Sequence, residues 1–413
     1  MFSKLKYEYL LFIIAVIWAF FFSFSIQLKP EFNLFGDDLS YLSAAKNLYL
    51  EHQVDEGRPM IIALINGFPL LFGFSELVVI KWSILVNFCC WFVTILFVFK
   101  IVATKLNRQK AFWFALFFLF CIGNLAIAFH VLSESVFIFM LILVVYFINK
   151  KELTKQYHFL TIAITITVLA ILVRPMAIGL LLILVVFNIK NFKQICYSKY
   201  AFLLLLSLSL VFIQMYSLKK LNGDFTISYI DSFTYYNYLG AKADCLRKNI
   251  DYLPGKNERF EFFRKFSSHE QRKIANLDVK EQLSNNKVNL FKAYLFCIYS
   301  NSSKGSYIVS SCKNINQTSY FDACYFFYKA ISKLQNILFT IFGILLSFYC
   351  LLKRKKESNF NVVISLFILF IIFISAISCY ECDRFHIVIY PMVILLLTRF
   401  FEMKKLYEIC KQE

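Results

Sequence analysis

The sequence predicts an all-α polytopic membrane protein with about ten transmembrane helices, within a range of roughly nine to twelve. Two observations support this prediction. Of the 413 residues, 59% are apolar and only 17% are charged, which is too apolar a composition for an ordinary soluble globule. The apolar residues also form uncharged runs, such as 9–27, 111–129 and 360–378, each close to the ~20 residues that cross a bilayer.

Ten spans account for these runs, and together they predict three regions of chain. The spans cover 9–27, 77–99, 111–129, 133–149, 159–173, 176–189, 200–218, 331–352, 360–379 and 385–401. The predicted regions are a transmembrane module expected to hold the active site, 1–218, with its first outer loop at 28–76; an extracytoplasmic loop domain, 219–330; and C-terminal helices with a short cytoplasmic tail, 331–413. The apolar segment 59–74 is short and contains Gly67 and Pro69, so we place it at the outer interface.

The distribution of basic residues predicts the orientation. Most Lys and Arg outside the long loop fall at one set of span ends, including the run 353–356. The short loops on the other side hold few, namely Lys29, Lys46, Arg58, Arg174 and Arg384. Because cytoplasmic loops carry the excess of Lys and Arg, we expect both termini in the cytoplasm and the other side to be extracytoplasmic or periplasmic. The net charge of +18 therefore reflects topology, and no nucleic-acid partner is expected.

The long loop at 219–330 has an excess of basic residues interleaved with aromatic ones, as in 235–238 and 325–328. It is either a cap with a solvated basic surface or a platform for an anionic glycan or lipid headgroup. Its cysteines at 245, 297, 312 and 324 predict disulfides within the loop in an oxidising compartment, with three possible connectivities. Cys379 and Cys382 form a CxxC pair, which is weak evidence for redox or metal chemistry. The sequons at Asn301 and Asn316 matter only in a eukaryotic host.

Asp37 and Asp38 lie in the first outer loop, at the start of a short amphipathic helix. One reading is an N-cap that also complements the helix dipole, which requires only one of the two carboxylates. The other is a functional pair, because adjacent carboxylates near apolar surface repel each other and suit a general base or a metal ligand. The residue types alone do not separate these two readings.

Glu134 lies near the outer start of a span, one helical turn after His130, so both can face the same cavity. A harmless interfacial cap is the alternative, since an ionisable residue costs less at a span end than at mid-bilayer. Together with Asp37 and Asp38, Glu134 could complete a site for a divalent metal ion such as Mg²⁺ or Mn²⁺.

Arg58, Arg174 and Arg384 lie on the same predicted side as these carboxylates. A single arginine at a span end can simply snorkel or pair with a nearby acid. Three arginines accompanied by His386 instead suit a phosphate site, because guanidinium groups offer fixed, forked hydrogen-bond donors.

These motifs carry a resemblance to a known class. The pattern Asp37-Asp38-x-x-Tyr41-x-x-Ala44, followed by Arg58-Pro59 and an apolar stretch ending at Gly73, resembles the first outer loop of GT-C class membrane glycosyltransferases. That class includes protein O-mannosyltransferases and lipid A aminoarabinose transferases. The segments 130–137, 172–175 and 384–391 follow in the expected order, although Phe385 stands where an arginine–tyrosine pair is common in the class.

The resemblance implies transfer of a sugar from a polyprenyl-phosphate carrier to a lipid, glycan or protein acceptor on the outer face of the membrane. It implies Asp37 as the base that activates the acceptor, with Asp38 and Glu134 orienting it or holding the metal ion. Arg58, Arg174 and Arg384 would bind the donor phosphate, with support from Tyr41, His130 and His386.

Two other functions fit parts of the pattern. A transporter or flippase of lipid-linked sugars usually places ionisable residues near the midplane, within repeated halves. A sugar-chain polymerase or ligase, also multi-span with a large outer loop, would rely on arginines in that loop without a carboxylate pair in the first.

Overall fold

A computed structural model describes residues 2–28, 34, 36–255 and 257–410, with side chains over 6–28, 34, 36–255 and 257–402. Lys29, one of the basic residues predicted on the outer side, lies outside these ranges. Every regular element in the described residues is a helix, which confirms the predicted all-α polytopic class.

The chain divides along its length into a first group of helices, a middle group and a last group. The first group comprises α1 (Phe2–Ser25), α2 (Gly36–Leu50), α3 (Met60–Gly67) with a 3₁₀ turn (Phe68–Phe72), α4 (Glu76–Ala103), α5 (Arg108–Leu119), α6 (Ile122–Ile127), α7 (Glu134–Thr154), α8 (His158–Ile171), α9 (Ala177–Phe187), a 3₁₀ turn (Ile189–Asn191), α10 (Phe192–Cys196) and α11 (Ala201–Asn222). The middle group comprises α12 (Ile230–Thr234), a π-helix (Tyr235–Gly240), α13 (Ala241–Lys248), α14 (Glu258–Phe263), α15 (Ser268–Asn285), α16 (Lys287–Ser303) and α17 (Tyr307–Ser311). The last group comprises α18 (Ser319–Leu352), α19 (Asn359–Ile374), two 3₁₀ segments (Ser375–Ile377 and Cys382–Ile389) and α20 (Tyr390–Cys410).

Six helical segments of the described chain are long and apolar enough to cross a bilayer: 6–25, 76–103, 201–222, 319–352, 359–377 and 382–402. A bent pair, 177–187 with 189–196, would make a seventh span, with a 71° angle at its break. The other predicted spans correspond to shorter or more charged helices. The run 111–129 breaks between α5 and α6, α8 has only 14 residues, and α7 ends in Lys150-Lys151-Glu152. The chain is a multi-pass membrane protein.

The interior of the bundle is filled by aromatic and branched side chains. Phe99, Phe118, Phe137 and Phe367 are almost fully buried in one continuous core. The outward faces of α1 and α11 expose large apolar side chains such as Phe20 and Leu205, as expected for helices that face lipid.

The predicted first outer loop contains α2, α3 and the 3₁₀ turn Phe68–Phe72, and α2 packs against α3. The buried face of α2 includes Asp38, Tyr41, Leu42 and Ala45, whereas Leu39 is exposed. A helix is present where the amphipathic helix was predicted, and its buried face contains one of the two carboxylates.

The middle group, α12–α17, forms a cap whose α16 packs against the 3₁₀ segments of the last group. A disulfide joins Cys297 of α16 to Cys379. Disulfides confined to the 219–330 loop were therefore the wrong prediction, since Cys245, Cys312 and Cys324 are free thiols. The reason is that α16 packs on residues near 379, so the nearest partner of Cys297 is outside the loop.

Asn301 of α16 reinforces this contact. Its side-chain amide donates to the carbonyl oxygens of Ser375 and Ser378, at 3.0 and 2.8 Å, and its oxygen accepts from the backbone N–H of Glu381. Asn301 is fully buried, so this sequon is not accessible to glycosylation in the folded protein.

Candidate active site

The two carboxylates at the start of α2 point to different surroundings. Asp37 is about one third exposed, whereas Asp38 is fully buried. Asp38 accepts a hydrogen bond from the backbone N–H of Val131 at 2.8 Å and lies 2.9 Å from Nδ1 of His130. Asp38 and His130 therefore tie α2 to the turn that precedes α7.

The turn before α7 has further contacts with α4 and α2. Asn87 of α4 donates to the carbonyl oxygens of His130 and Leu132, at 2.6 and 3.1 Å. The hydroxyl groups of Tyr41 and Ser133 lie 2.7 Å apart. These contacts fix the position of Glu134, the first residue of α7.

Two Arg-Pro turns meet beside α2. The backbone N–H of Ile61 donates to the carbonyl oxygen of Leu172 at 3.1 Å, which joins the start of α3 to the end of α8. This contact brings Arg58-Pro59 and Arg174-Pro175, which are distant in sequence, to the same cavity.

The guanidinium group of Arg58 contacts α2 through all of its nitrogen atoms. Its Nη2 donates to Oδ1 of Asp37 at 2.6 Å, its Nε donates to the Ser40 hydroxyl at 2.9 Å, and its charge lies 4.4 Å from the centre of the Tyr41 ring. The backbone N–H groups of Gly57 and Arg58 both donate to Asp55, which shapes the turn that presents the arginine.

Arg384, which is 7% exposed, lies at the centre of the cluster. Its Nε donates to Oε1 of Glu134, and its Nη1 donates to Oδ2 of Asp37 and, at 3.4 Å, to Oε2 of Glu381. One guanidinium group thus joins carboxylates from three separate parts of the chain.

Glu134 pairs with a second arginine. Its Oε1 lies 3.1 Å from Nη1 of Arg174, and its carboxylate is fully buried. The Arg174 guanidinium also lies 5.2 Å from the centre of the Phe385 ring. The Phe385 ring therefore packs against the guanidinium group of Arg174. Phe385 stands where the predicted class commonly has an arginine–tyrosine pair.

A cavity of about 570 Å³ opens beside this cluster. Its polar part is formed by Asp37, Arg58, Arg174, Glu381 and Arg384. Its apolar part comes from residues between α8 and α9, at the end of α19 and before α20, namely Val173, Pro175, Met176, Ile374, Ile377 and Phe385. The arrangement suits an amphiphilic ligand with an anionic group, because fixed arginines meet apolar surface within one cavity.

The cap closes one wall of the cavity with the π-helix, an element that occurs often at functional sites. Tyr235 and Tyr238 line the cavity, whereas Tyr236 stacks on Phe263 of α14, with ring centres 4.3 Å apart. Arg259 donates to both oxygens of Asp278 at 2.9 and 2.8 Å and holds this region together. The aromatic run 235–238 therefore belongs to the candidate site, and the run 325–328 lies in α18.

Burial and nearby charges together shift the pKa values of two carboxyl groups at the cavity in opposite directions. Burial alone would raise the pKa of Asp37, but the positive charges of Arg384 and Arg58 outweigh it and hold that pKa well below its usual range. Burial raises the pKa of Glu381, and the more distant Arg384 charge only partly opposes this. Asp37 is therefore ionised in the ligand-free protein, whereas Glu381 is the carboxyl group that protonates more easily.

The structure brings most of the predicted site residues together. Asp37, Tyr41, Arg58, Arg174 and Arg384 line one cavity. Glu134 pairs with Arg384, and Asp38, the neighbour of Asp37 in sequence, pairs with His130. His386 is separate, since its ring contacts the hydroxyl groups of Thr340 and Ser375, at 2.8 and 3.1 Å, inside the bundle. The catalytic and phosphate-binding roles of these residues remain predictions.

The carboxylates do not meet around a common point that a metal ion could occupy. Asp37 and Glu134 face arginines, and Asp38 faces His130 and Val131. Among the described residues, no group of three or more His, Cys, Asp or Glu side chains is placed to hold a metal ion. This arrangement does not fit the predicted divalent metal, so no chemical step is derived from it.

Sequence reasoning missed several residues that line the cavity. Glu381 precedes Arg384 by three positions, and this helical spacing was a usable signal. Tyr235 and Tyr238 lie in the aromatic run 235–238, which the sequence indicated only as part of a possible platform for an anionic ligand. Asp231, also in the cap, had no such signal.

The fold and the site together define a multi-pass membrane protein with a buried arginine–carboxylate cluster at one end of its helical bundle. No protein-family model and no curated protein matches the sequence. Among solved structures, the chain is similar to the crystal structure of ArnT from Cupriavidus metallidurans bound to undecaprenyl phosphate. The match has a TM-score of 0.45 and 10% sequence identity, and it covers 95% of this chain and 78% of that chain.

Proposed function

We propose that this protein is a membrane glycosyltransferase that moves a sugar from a polyprenyl-phosphate carrier to a hydroxyl-bearing acceptor. The observation that carries the proposal is the cavity that Arg58, Arg174 and Arg384 line together with Asp37, beside apolar surface. A lipid phosphate needs cationic donors in a site of low dielectric, and its hydrocarbon chain needs apolar surface next to them.

Binding of the donor would exchange ion-pair partners. In the ligand-free protein, Asp37 occupies Arg58 and Arg384. The donor phosphate competes for the same guanidinium groups, since both ligands are oxyanions that accept forked hydrogen bonds. Once the arginines turn to the phosphate, Asp37 loses the charges that hold its pKa low, and it becomes a stronger base.

In the transfer step, one bond forms at the anomeric carbon and another breaks. The acceptor oxygen attacks the anomeric carbon of the sugar while Asp37 accepts the proton of the acceptor hydroxyl. The bond between the anomeric carbon and the phosphate oxygen breaks, and its electron pair leaves with the polyprenyl phosphate. Arg58, Arg174 and Arg384 stabilise the negative charge that develops on this leaving group. Glu134 holds two of the arginines in place from behind.

The site belongs on the extracytoplasmic face, with both termini in the cytoplasm. The support is the clustering of Lys and Arg, including 353–356, at the ends of the helices opposite the site. A single cysteine replacing Lys304 in the cap, on a background without other accessible thiols, should react with a membrane-impermeant reagent added outside. Labelling only after the membrane is opened would place the cap on the cytoplasmic side and overturn this orientation.

The direct test uses the purified protein in lipid nanodiscs with a labelled polyprenyl-phosphate sugar. A transferase releases the sugar from its carrier and transfers it to an added glycan, lipid or peptide acceptor. A transporter or flippase would bind the donor and leave the sugar–phosphate bond intact. A polymerase or ligase would act only on carriers that already bear a sugar chain. Binding without cleavage for every donor and acceptor class would contradict the proposal.

A further inference from the structure

A second polar cavity lies at the opposite end of the helical bundle. α7 begins at Glu134 in the active site and ends at Thr154, near this cavity. Its 21 residues, at ~1.5 Å per residue, place the two cavities about 30 Å apart, which is the thickness of a bilayer core. The second cavity has a volume of about 520 Å³ and is bounded by the ends of α7, α18 and α19 and by the side chains of α20.

Four cations and three carboxylates line the second cavity, namely Lys105, Lys353, Lys356, Arg399, Glu152, Glu357 and Glu402. The carboxylates already have partners in the protein. Glu152 accepts from the backbone N–H of Phe360 at 2.8 Å, Glu357 pairs with Arg399, and Glu402 lies 3.8 Å from Nζ of Lys105. Four cations against three carboxylates leave the cavity with a net charge of +1.

The surplus is concentrated on two accessible lysines at the rim. Lys353 and Lys356 are both exposed, and within the described part of the chain no ion pair involves either of them. Lys353 donates to the hydroxyl of Tyr349 at 3.2 Å, which holds its ammonium group at the cavity. Arg354 and Lys355 lie between them in sequence but do not line the cavity.

We propose that this second cavity binds the phosphate group of an anionic lipid headgroup at the membrane face opposite the active site. Lys353 and Lys356 contact the phosphate, and Lys105 and Arg399 contribute positive potential from inside the cavity. The position is suitable because a headgroup lies at the level where membrane-spanning helices end, and basic pockets between such helices bind anionic headgroups. Lysine suits this task because it supplies a point charge without requiring one ligand geometry. A free phosphate ion has the same chemistry, so the experiment separates the two sources.

The experiment compares two double variants of the full-length protein in phosphatidylcholine nanodiscs. Lys353→Gln/Lys356→Gln removes two charges that line the cavity, and Arg354→Gln/Lys355→Gln removes two charges from the same run outside it. Phosphatidylglycerol is titrated in, and the lipid retained on each protein is measured by native mass spectrometry. The first variant should bind phosphatidylglycerol roughly 20- to 30-fold more weakly, as expected from ~1 kcal/mol per lysine. The control should stay within about twofold of the wild type.

Further arms decide between the possible outcomes. An equal loss in both double variants would overturn the proposal, because it would show attraction to the basic surface as a whole. A wild-type protein that retains phosphatidylglycerol no better than phosphatidylcholine, and does not bind inorganic phosphate, would also overturn it. Saturable binding of inorganic phosphate that is lost in the first variant alone would assign the cavity to a free phosphate. Phosphatidylglycerol binding that inorganic phosphate does not displace would assign it to the lipid.

Discussion

The two ends of the helical bundle hold charge in different ways. At the active-site end the cations are three arginines, whose side chains are 14%, 12% and 8% exposed, each paired with a carboxylate from another part of the chain. At the opposite end three of the four cations that line the cavity are lysines, and Lys353 and Lys356 project from its rim. A buried, forked arginine fixes the geometry of its partner, whereas an exposed lysine mainly contributes potential. The comparison indicates that one end is suited to a single bound arrangement, whereas the lysines at the other end can contact a phosphate group in more than one geometry.

The largest difference between the ends should appear when a carboxylate becomes an amide. Asp37→Asn should reduce sugar transfer by ~10²- to 10⁴-fold with the fold intact, since the amide keeps the volume but cannot accept the acceptor proton. Glu402→Gln is the matched change at the opposite end, beside Lys105, and should leave transfer unchanged. Initial rates and far-UV circular dichroism are measured for both proteins. If Asp37→Asn transferred sugar at the wild-type rate, Asp37 would not be the base, and helix capping would be its remaining role.

A smaller effect should follow from replacing an arginine by lysine. Arg58→Lys keeps the charge but cannot reach Asp37, Ser40 and Tyr41 at once, as the guanidinium does. Charge-assisted hydrogen bonds contribute ~1.5–3 kcal/mol, so donor affinity should fall by roughly 10- to 150-fold in Arg58→Ala and by less in Arg58→Lys. Arg354→Lys, at the opposite end, is the control. Equal donor affinity in all four proteins, measured by titration calorimetry with the polyprenyl-phosphate sugar, would remove Arg58 from the phosphate site.

The cap is attached beside the active-site end by the Cys297–Cys379 disulfide, so its loss should affect stability before chemistry. Cys297→Ser should lower the free energy of unfolding by ~2–4 kcal/mol. Cys245→Ser is the matched control, because Cys245 is buried in the same cluster as a free thiol. Thermal unfolding, with and without reductant, distinguishes the two variants. Alkylation and mass analysis that recovered Cys297 as a free thiol from oxidised protein would contradict the pairing.

The smallest expected effect concerns the pH dependence of stability at Glu381. Because burial raises the pKa of this carboxyl group, its contribution to stability is present below the ordinary carboxyl pKa and is lost as the pH rises through the raised value. Glu381→Gln removes this loss, so the variant should gain thermal stability relative to the wild type as the pH rises from about 4 to about 7. Glu76→Gln, at an exposed carboxylate beside Lys46, is the control. A constant difference between Glu381→Gln and the wild type across this range would show that burial does not raise the pKa of Glu381.

The sequence by itself determined that the protein is an all-α polytopic membrane protein, and it indicated most of the residues that the candidate site brings together. Continuous apolar runs identify membrane-spanning helices because each run must satisfy its own backbone hydrogen bonds in lipid. Charged residues that do not follow the topological pattern, such as Asp37, Arg58 and Arg174, stood out because charge near a membrane is costly. These are local properties, and they can be read without knowing which helices are neighbours.

Only the tertiary structure decided which of these residues act together. Asp37 and Asp38 are adjacent in sequence, yet the helix turns one towards the cavity and buries the other against His130. Cys297 pairs with Cys379 because α16 packs on a segment 82 residues away, which loop boundaries could not show. Tyr238 reaches the cavity through a π-helix held by Arg259 and Asp278, and Arg384 joins Asp37 to Glu134 across the bundle. The physical reason is that packing between distant segments sets these contacts, whereas hydropathy and charge patterns describe only one segment at a time.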